Sequence, residues 1–223
     1  MKCIRLAVFA SGRGSNFQAI LRAIDEERLS AEIVVVLSNN PDAGALQIAG
    51  KRDIPAVVIQ KTDFTGREAF VQSMTDTLNK HRAEFILLAG YMKKVPPEIV
   101  NLYKDRILNI HPALLPSFGG QGMYGHYVHE AVLAEGCRVS GVTVHLVDEV
   151  YDRGPIVAQE CVPVLEGDTP DTLAARVLKV EHRLFAEAVQ LFAEERVEVV
   201  GRRVKIKGKK QESRNKKQEE DDR

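Results

Sequence analysis

Runs of apolar residues alternate with segments of helical periodicity through the first half of the chain. Continuous apolar runs are typical of strands buried on both faces, and the segments between them are typical of the helices that cover such a sheet. After residue 111, two longer apolar runs are joined by a short acidic loop, as in an antiparallel pair. The runs that predict strands are 4–10, 32–38, 56–59, 85–88, 107–110, 138–147 and 155–162. We therefore expect an α/β protein whose mostly parallel sheet carries helices on both faces.

Helical patterns fill the intervals between these runs and follow the last of them. They begin near residues 17, 44, 67 and 97, and continue at 127–134 and 169–195. Asp168 or Thr169 is the predicted N-cap of the last helix. Residues 207–223 contain no apolar residue and carry their opposite charges in blocks, which predicts a disordered charged tail.

Composition narrows the class of partner. The 223 residues include 31 Lys and Arg and 31 Asp and Glu, so no net charge attracts nucleic acid or an anionic membrane. Cys3, Cys137 and Cys161 are far apart and form no CxxC pair, which argues against a disulfide framework or structural zinc. No run approaches the roughly 18 apolar residues of a membrane span. We expect a cytoplasmic protein that binds neither nucleic acid nor membrane.

The stretch SGRGSN joins the first predicted strand to the first predicted helix. Gly12 and Gly14 permit close backbone approach, and free N–H groups at a helix start bind anions such as phosphate. An ordinary tight turn capped by Ser15 or Asn16 is the alternative. No GK[ST] follows, and Phe17 stands where a dinucleotide fingerprint has its third glycine, so a P-loop is excluded and a nicotinamide dehydrogenase is disfavoured.

Two polar residues end the fifth predicted strand in the stretch LNIHP. Asn109 and His111 are two apart, so their side chains share one face of the strand. A neutral imidazole exchanges protons near neutral pH, and an amide donates to an oxyanion, which together suit acyl transfer. A purely structural histidine is the alternative. The loop DEVYDRGP offers three carboxylates that could reach His111, and spacing does not choose among Asp148, Glu149 and Asp152.

The remaining histidines are weaker candidates. His126 and His129 are three apart on a predicted helix, but no third ligand accompanies them, so surface or packing roles are favoured over a metal site. His145 shares a strand face with Thr143, and we expect it to line the same cavity as His111.

Five motifs together resemble one protein family. SGRGSN, LLAGYM, LNIHPALLPSF, SGVTVHLVDE and DRGP, in this order and spacing, are similar to the phosphoribosylglycinamide formyltransferase family, and the likeness extends to about residue 202. The resemblance implies a Rossmann-like formyltransferase fold with a mostly parallel seven-stranded sheet. It implies one formyltransferase domain, 1–206, with a phosphate-binding half, 1–110, and a catalytic and folate-binding half, 111–206.

The resemblance also implies an activity. The family transfers a formyl group from 10-formyltetrahydrofolate, a co-substrate, to the amine of 5-phosphoribosylglycinamide in de novo purine (IMP) biosynthesis, and it uses no metal. We expect only small-molecule partners and a monomer or homodimer. Alternatives are a formyltetrahydrofolate hydrolase, another formyltransferase of the superfamily, or a non-catalytic nucleotide-binding module. The start of the chain at its first strand and its short final segment argue against the first two.

The site residues implied by the resemblance follow the motifs. Asn109, His111 and Asp152 are the implied catalytic residues, with Asp152 selected by the DRGP motif as the carboxylate that raises the pKa of His111. The implied contacts to the ribonucleotide are Gly14, Ser15, Asn16 and Glu181. The implied contacts to the folate are Arg67, Met92, Lys93, Lys94, Val95 and Asn109.

Overall fold

The apolar runs form the strands of a single sheet in the computed structural model, which describes residues 2–208. The predicted tail, 207–223, lies outside the described residues except for Lys207 and Gly208. The strands are β1 Ile4–Phe9, β2 Ala31–Ser38, β3 Ala56–Val58, β4 Phe85–Leu88, β5 Ile107–His111, β6 Val139–Leu146, β7 Ile156–Pro163, β8 Val197–Val200 and β9 Arg203–Ile206. The helices are α1 Ser15–Asp25, α2 Gly44–Gly50, α3 Arg67–Lys80, α4 Pro97–Leu102, α5 His126–Ala134 and α6 Pro170–Ala193.

The strands lie in the order β3-β2-β1-β4-β5-β6-β7-β9-β8. Strands β1 to β5 pair in parallel, β6 is antiparallel to both β5 and β7, and β9 is parallel to β7. The predicted mostly parallel α/β sheet is confirmed. The predicted count of seven strands is wrong, because β8 and β9 form a further hairpin at one edge of the sheet among the described residues.

Helices cover both faces of the sheet, as expected. One core cluster combines the buried sides of α1, α2, α5 and α6 with one face of the strands, and a second cluster does the same with α3 and α4. Because both faces are covered, β1 is apolar along nearly its whole length. Among the described residues, every helix is too short or too polar to span a bilayer.

The longest helix, α6, has a well-defined start. Thr169 is its N-cap, with reciprocal hydrogen bonds between Thr169 and Thr172, and Pro170 occupies the first turn. Asp168, the other predicted cap, accepts two hydrogen bonds of 2.7 Å from Arg176 instead. These hydrogen bonds and the positive charge of Arg176 lower the pKa of Asp168. The start of α6 matters because this helix extends along the cavity described below.

The order of the strands determines where a ligand can enter. The chain runs from β1 outward to β2 and β3, then returns to β4 on the opposite side of β1. Helices on opposite faces diverge at such a reversal, which opens a crevice beyond the carboxyl ends of the strands. The loops that follow β1, β4 and β5 all meet there.

Candidate active site

A cavity of about 940 Å³ lies beyond the carboxyl ends of β1, β4 and β5. Its walls come from the loops after these strands, the β6–β7 loop, one side of α6 and the glycine-rich segment 118–125, which precedes α5. Of the residues named from the sequence as site candidates, the lining contains Gly14, Ser15, Asn16, Met92, Lys93, Lys94, Val95, Asn109, His111, His126, His129, His145, Asp148, Asp152 and Glu181. Gly14 and Glu181, which are 167 positions apart in the chain, therefore share one cavity.

The turn between β1 and α1 is built around Gly14. This residue is the N-cap of α1 with φ 81, and no side chain caps the helix, so the alternative of a cap by Ser15 or Asn16 is wrong. A Cβ at Gly14 would lie 2.9 Å from Ala45 Cα, so only glycine fits. The first N–H groups of α1 are left without a side-chain acceptor at the cavity wall, as an anion site requires.

Glu181 lies next to this turn, although it comes from α6. Its side chain is 8% exposed and accepts a hydrogen bond from Asn16. Burial raises the pKa of Glu181 to about 7, and the hydrogen bond from Asn16 opposes that change only in part. Among the described residues, no donor lies within hydrogen-bonding distance of the buried Asn16 Oδ1. Asn16 and Glu181 thus present polar groups to a ligand.

We expect Glu181→Gln to stabilise the unliganded protein at high pH. Below the ordinary pKa of 4.5, Glu181 is protonated in both the folded and unfolded states. As the pH rises towards the folded-state pKa of about 7, the carboxyl ionises in the unfolded state but stays protonated in the native state, because burial disfavours its charge. This ionisation stabilises the unfolded state relative to the native state. The variant should therefore exceed wild type by about 3 kcal/mol at pH 8 but by less than about 1 kcal/mol at pH 5.

Urea unfolding of both proteins at the two pH values measures this difference. Glu187→Gln is the control, because Glu187 is an exposed carboxylate on the same helix and should change stability by at most about 0.5 kcal/mol. A difference for Glu181→Gln that is the same at pH 5 and pH 8 would contradict the assignment.

Asn109 and His145 face each other across the β5–β6 pair. The two residues are direct partners in the register, and Asn109 Nδ2 lies 3.0 Å from His145 Nε2. His145 Nδ1 lies 2.8 Å from the carbonyl oxygen of Leu146, which can only accept. In the neutral ring Nδ1 therefore carries the hydrogen, and Nε2 accepts from Asn109. The second N–H of the Asn109 amide remains available to a ligand oxygen.

His111 lies between a backbone carbonyl and a carboxylate. Its Nε2 is 2.7 Å from the carbonyl oxygen of Phe118, and its Nδ1 is 3.8 Å from Asp152 Oδ2. Asp152 Oδ1 in turn lies 3.4 Å from His145 Nε2, and Asp152 Oδ2 accepts a 2.8 Å hydrogen bond from the Gly120 amide. The predicted trio of Asn109, His111 and Asp152 is brought together in the cavity.

Burial decides the charge of this cluster in the unliganded protein. The pKa of His111 is lowered, because desolvation of the 3% exposed residue outweighs the opposing effects of Asp152 and the Phe118 carbonyl. Asp152 raises the pKa of His111, as expected, but its contribution is smaller than that of burial. Burial raises the pKa of Asp152, but His145, His111 and the Gly120 amide together bring it below its usual range. The resting pair is thus neutral imidazole beside carboxylate.

The β6–β7 loop distinguishes its three carboxylates by position. Asp152 has φ 54, in the left-handed region, and this conformation turns its side chain towards His111. Asp148 lines the cavity but accepts a hydrogen bond from the Val150 amide within the loop, while Glu149 is exposed and contacts Asn101. Only Asp152 joins the His111 cluster.

The residues expected to contact folate fall into two groups. The stretch 92–95 lines the cavity, and the Lys94 ammonium lies 5.5 Å from the ring centre of Tyr151, which joins two walls of the entrance. Arg67 is not in the lining: its guanidinium forms hydrogen bonds of 3.0 and 2.9 Å with the Glu98 carboxylate on α4. The structure therefore does not bring Arg67 into the cavity, and its folate contact stays a prediction.

Sequence reasoning missed two features of the cavity. His129, for which surface or packing roles were favoured, lines the wall, and burial lowers its pKa to about 4. Backbone groups of Phe118 and Gly120 contact His111 and Asp152, and the only sequence signal for them was the glycine-rich composition of the segment. Within residues 2–208, no group of three or more His, Cys, Asp or Glu side chains is arranged to hold a metal ion.

Several named proteins are similar to this chain in sequence and in fold. Residues 4–189 match the family model described as formyl transferase. A chloroplastic phosphoribosylglycinamide formyltransferase of Vigna unguiculata is 46% identical over 86% of this chain, and the match spans 62% of that longer relative. The phosphoribosylglycinamide formyltransferase of Bacillus subtilis (strain 168) is 36% identical over 83% of this chain and 93% of its own length.

A solved structure agrees with both sequence comparisons. The crystal structure of glycinamide ribonucleotide transformylase 1 from Symbiobacterium toebii superposes with a TM-score of 0.87 at 40% identity, covering 92% of this chain and 95% of that one. The family match, together with similarity over nearly the whole length of the bacterial relatives, shows that the chain belongs to the formyl transferase family.

Proposed function

We propose that this protein transfers the formyl group of 10-formyltetrahydrofolate to the amine of 5-phosphoribosylglycinamide, a step of de novo purine biosynthesis. The observation that carries the proposal is the cluster of Asn109, His111 and Asp152 at the wall of a cavity large enough for two substrates. Several relatives named for this activity support the choice of substrates, among them the bacterial protein matched over 93% of its length.

The two substrates would enter the cavity from different sides. The phosphate of the ribonucleotide would bind the N–H groups of Gly14, Ser15 and Asn16, where α1 begins without a side-chain cap. Glu181 would accept a hydrogen bond from a sugar hydroxyl of the same substrate. The folate would lie against the 92–95 stretch and the β6–β7 loop, which form the wall nearer Asp152. This arrangement would bring the amine and the formyl group beside His111.

The first chemical step is attack of the amine nitrogen on the formyl carbon. His111 Nδ1, unprotonated in the resting site, receives a proton from the amine as the new C–N bond forms. The formyl oxygen becomes an oxyanion and accepts the free N–H of Asn109. The resulting imidazolium lies between the Phe118 carbonyl and the Asp152 carboxylate, both of which favour its charge.

The second step expels the folate. The tetrahedral intermediate collapses, the C=O bond re-forms, and the bond from carbon to the folate nitrogen breaks. The His111 imidazolium gives its Nδ1 proton to that departing nitrogen, so the proton removed from the amine is returned to the product tetrahydrofolate. The ring ends neutral, as it began, and Asp152 remains ionised throughout.

Product formation from purified protein tests the proposal. Tetrahydrofolate release from 10-formyltetrahydrofolate is followed with and without glycinamide ribonucleotide, and the formylated ribonucleotide is detected by mass. We expect release only with the ribonucleotide, in equal amount to the formylated product. Release without it would identify a hydrolase, and no release in either case would favour a binding module.

Three properties remain predictions alongside this activity. We propose that the protein works in the cytoplasm, as a monomer or homodimer, and on small molecules alone. The name of the Vigna unguiculata relative places that protein in the chloroplast, so the compartment varies among relatives. Size-exclusion chromatography with light scattering gives the oligomeric state, and fractionation of the source cells gives the compartment.

A further inference from the structure

The glycine-rich segment after β5 folds back over the catalytic cluster. Between Phe118 and Gly120 it makes one hydrogen bond to each member of the acid–base pair, 2.7 Å from the Phe118 carbonyl to His111 and 2.8 Å from the Gly120 amide to Asp152. One short piece of backbone thus contacts two side chains that lie 41 positions apart in the chain, His111 at the end of β5 and Asp152 in the β6–β7 loop.

The Phe118 carbonyl has a specific chemical consequence for His111. A carbonyl oxygen only accepts hydrogen bonds, so Nε2 of the ring must carry a hydrogen. In the neutral ring the lone pair is then on Nδ1, which is the nitrogen nearer to Asp152. The segment therefore determines which nitrogen is the base, in the same way that a second hydrogen bond sets the tautomer of other functional histidines.

Gly119 explains why the segment is glycine-rich at this point. A Cβ at position 119 would overlap the Leu115 side chain and would lie 3.1 Å from Asp152 Cβ. No positive φ occurs at Gly119, so backbone conformation does not demand glycine there. The restriction is space: any side chain would push the segment away from Asp152 or push Asp152 away from His111.

We propose that segment 118–120 is a positioning element of the formyl-transfer site, in which the Phe118 carbonyl selects the Nε2–H tautomer of His111 and the Gly120 amide orients Asp152. The inference rests on the proposed function for its kinetic consequences, but the tautomer is a property of the unliganded protein. The proposal adds segment 118–120 to the site as a segment that influences the reaction only by positioning His111 and Asp152.

Gly119→Ala tests this role by kinetics. We expect kcat to fall about 10- to 100-fold, because displacements near 1 Å in a catalytic site cost rates of this order. The KM for the ribonucleotide should stay within about twofold, since Gly14 and Glu181 lie on other elements. Loss of the carbonyl acceptor should also move the acid limb of the pH profile to lower pH. Ser117→Ala is the local control, because Ser117 is exposed and two positions away.

Two further measurements make the outcome decisive. In the double variant Leu115→Val/Gly119→Ala, room is restored beside residue 115 but not beside Asp152, so the defect should persist, and full recovery would refute the inference. Nitrogen NMR of histidine-labelled wild type at pH 8, with the ring assigned from His111→Ala, should show the Nε2–H tautomer. The Nδ1–H tautomer in wild type, or a wild-type kcat in Gly119→Ala, would overturn the inference. If Gly119→Ala fails to fold, the NMR result for the wild-type protein decides alone.

Discussion

Asp152→Asn is expected to lower kcat by about 10³-fold, within the range that positioned acid–base groups contribute. The substitution keeps the shape of the side chain and removes its charge. The imidazolium that forms when His111 accepts the amine proton then loses the carboxylate 3.8 Å from Nδ1. Because the charge of Asp152 raises the pKa of His111, the variant should also have its acid limb at lower pH than wild type.

Measuring substrate binding distinguishes this loss of kcat from a general disturbance of the fold. The ribonucleotide would contact the start of α1 and Glu181, so its dissociation constant, measured by calorimetry, should change by less than about threefold. Glu149→Gln is the matched control, because Glu149 is an exposed carboxylate of the same loop outside the cavity lining. Turnover of Asp152→Asn at the wild-type rate would remove Asp152 from the mechanism.

The β6–β7 loop shows how far sequence alone can carry such an assignment. Asp148, Glu149 and Asp152 fall within five positions, and their chemistry is the same, so only a family motif could choose among them. What distinguishes Asp152 is tertiary: its left-handed backbone and its contacts with β5, β6 and the glycine-rich segment. Asn109 and His111 were easier to find, because the alternation of a strand already places them on one face.

The hairpin at the edge of the sheet shows which part of the fold the sequence did not predict. Strands β1, β2 and β4 to β7 were predictable because burial on one or both faces leaves apolar runs in the sequence. The three-residue β3 is partly exposed, but it is apolar throughout and could be predicted for that reason. Strands β8 and β9 are four residues each, and their outward positions are charged or exposed, which weakens the signal. The alternation of Val197 with Val199, and Gly201 at the turn, are the signals by which the hairpin could have been found.

Loss of the His111 side chain is the second large effect that we expect. His111→Ala should lower kcat by about 10²- to 10⁴-fold, because the other imidazole beside Asp152, that of His145, already accepts the Asn109 amide at Nε2 and cannot replace it as the base. His81→Ala, a histidine at the C-terminal end of α3 outside the cavity lining, is the control and should retain wild-type turnover. Added imidazole should restore part of the activity of His111→Ala, since the substitution leaves a space beside Asp152.

The pH dependence decides which form of His111 starts the reaction. Because the pKa of His111 is lowered, the ring is neutral at pH 7, and a neutral base requires kcat/KM to rise with pH through a limb below pH 6.5. His111→Ala should lose that limb. If wild-type activity instead fell as the pH rose through the same range, the imidazolium would be the starting form, and His111 would act on the formyl oxygen from the outset rather than on the amine. In that case the lowered pKa would oppose catalysis, and binding of the folate would have to raise it.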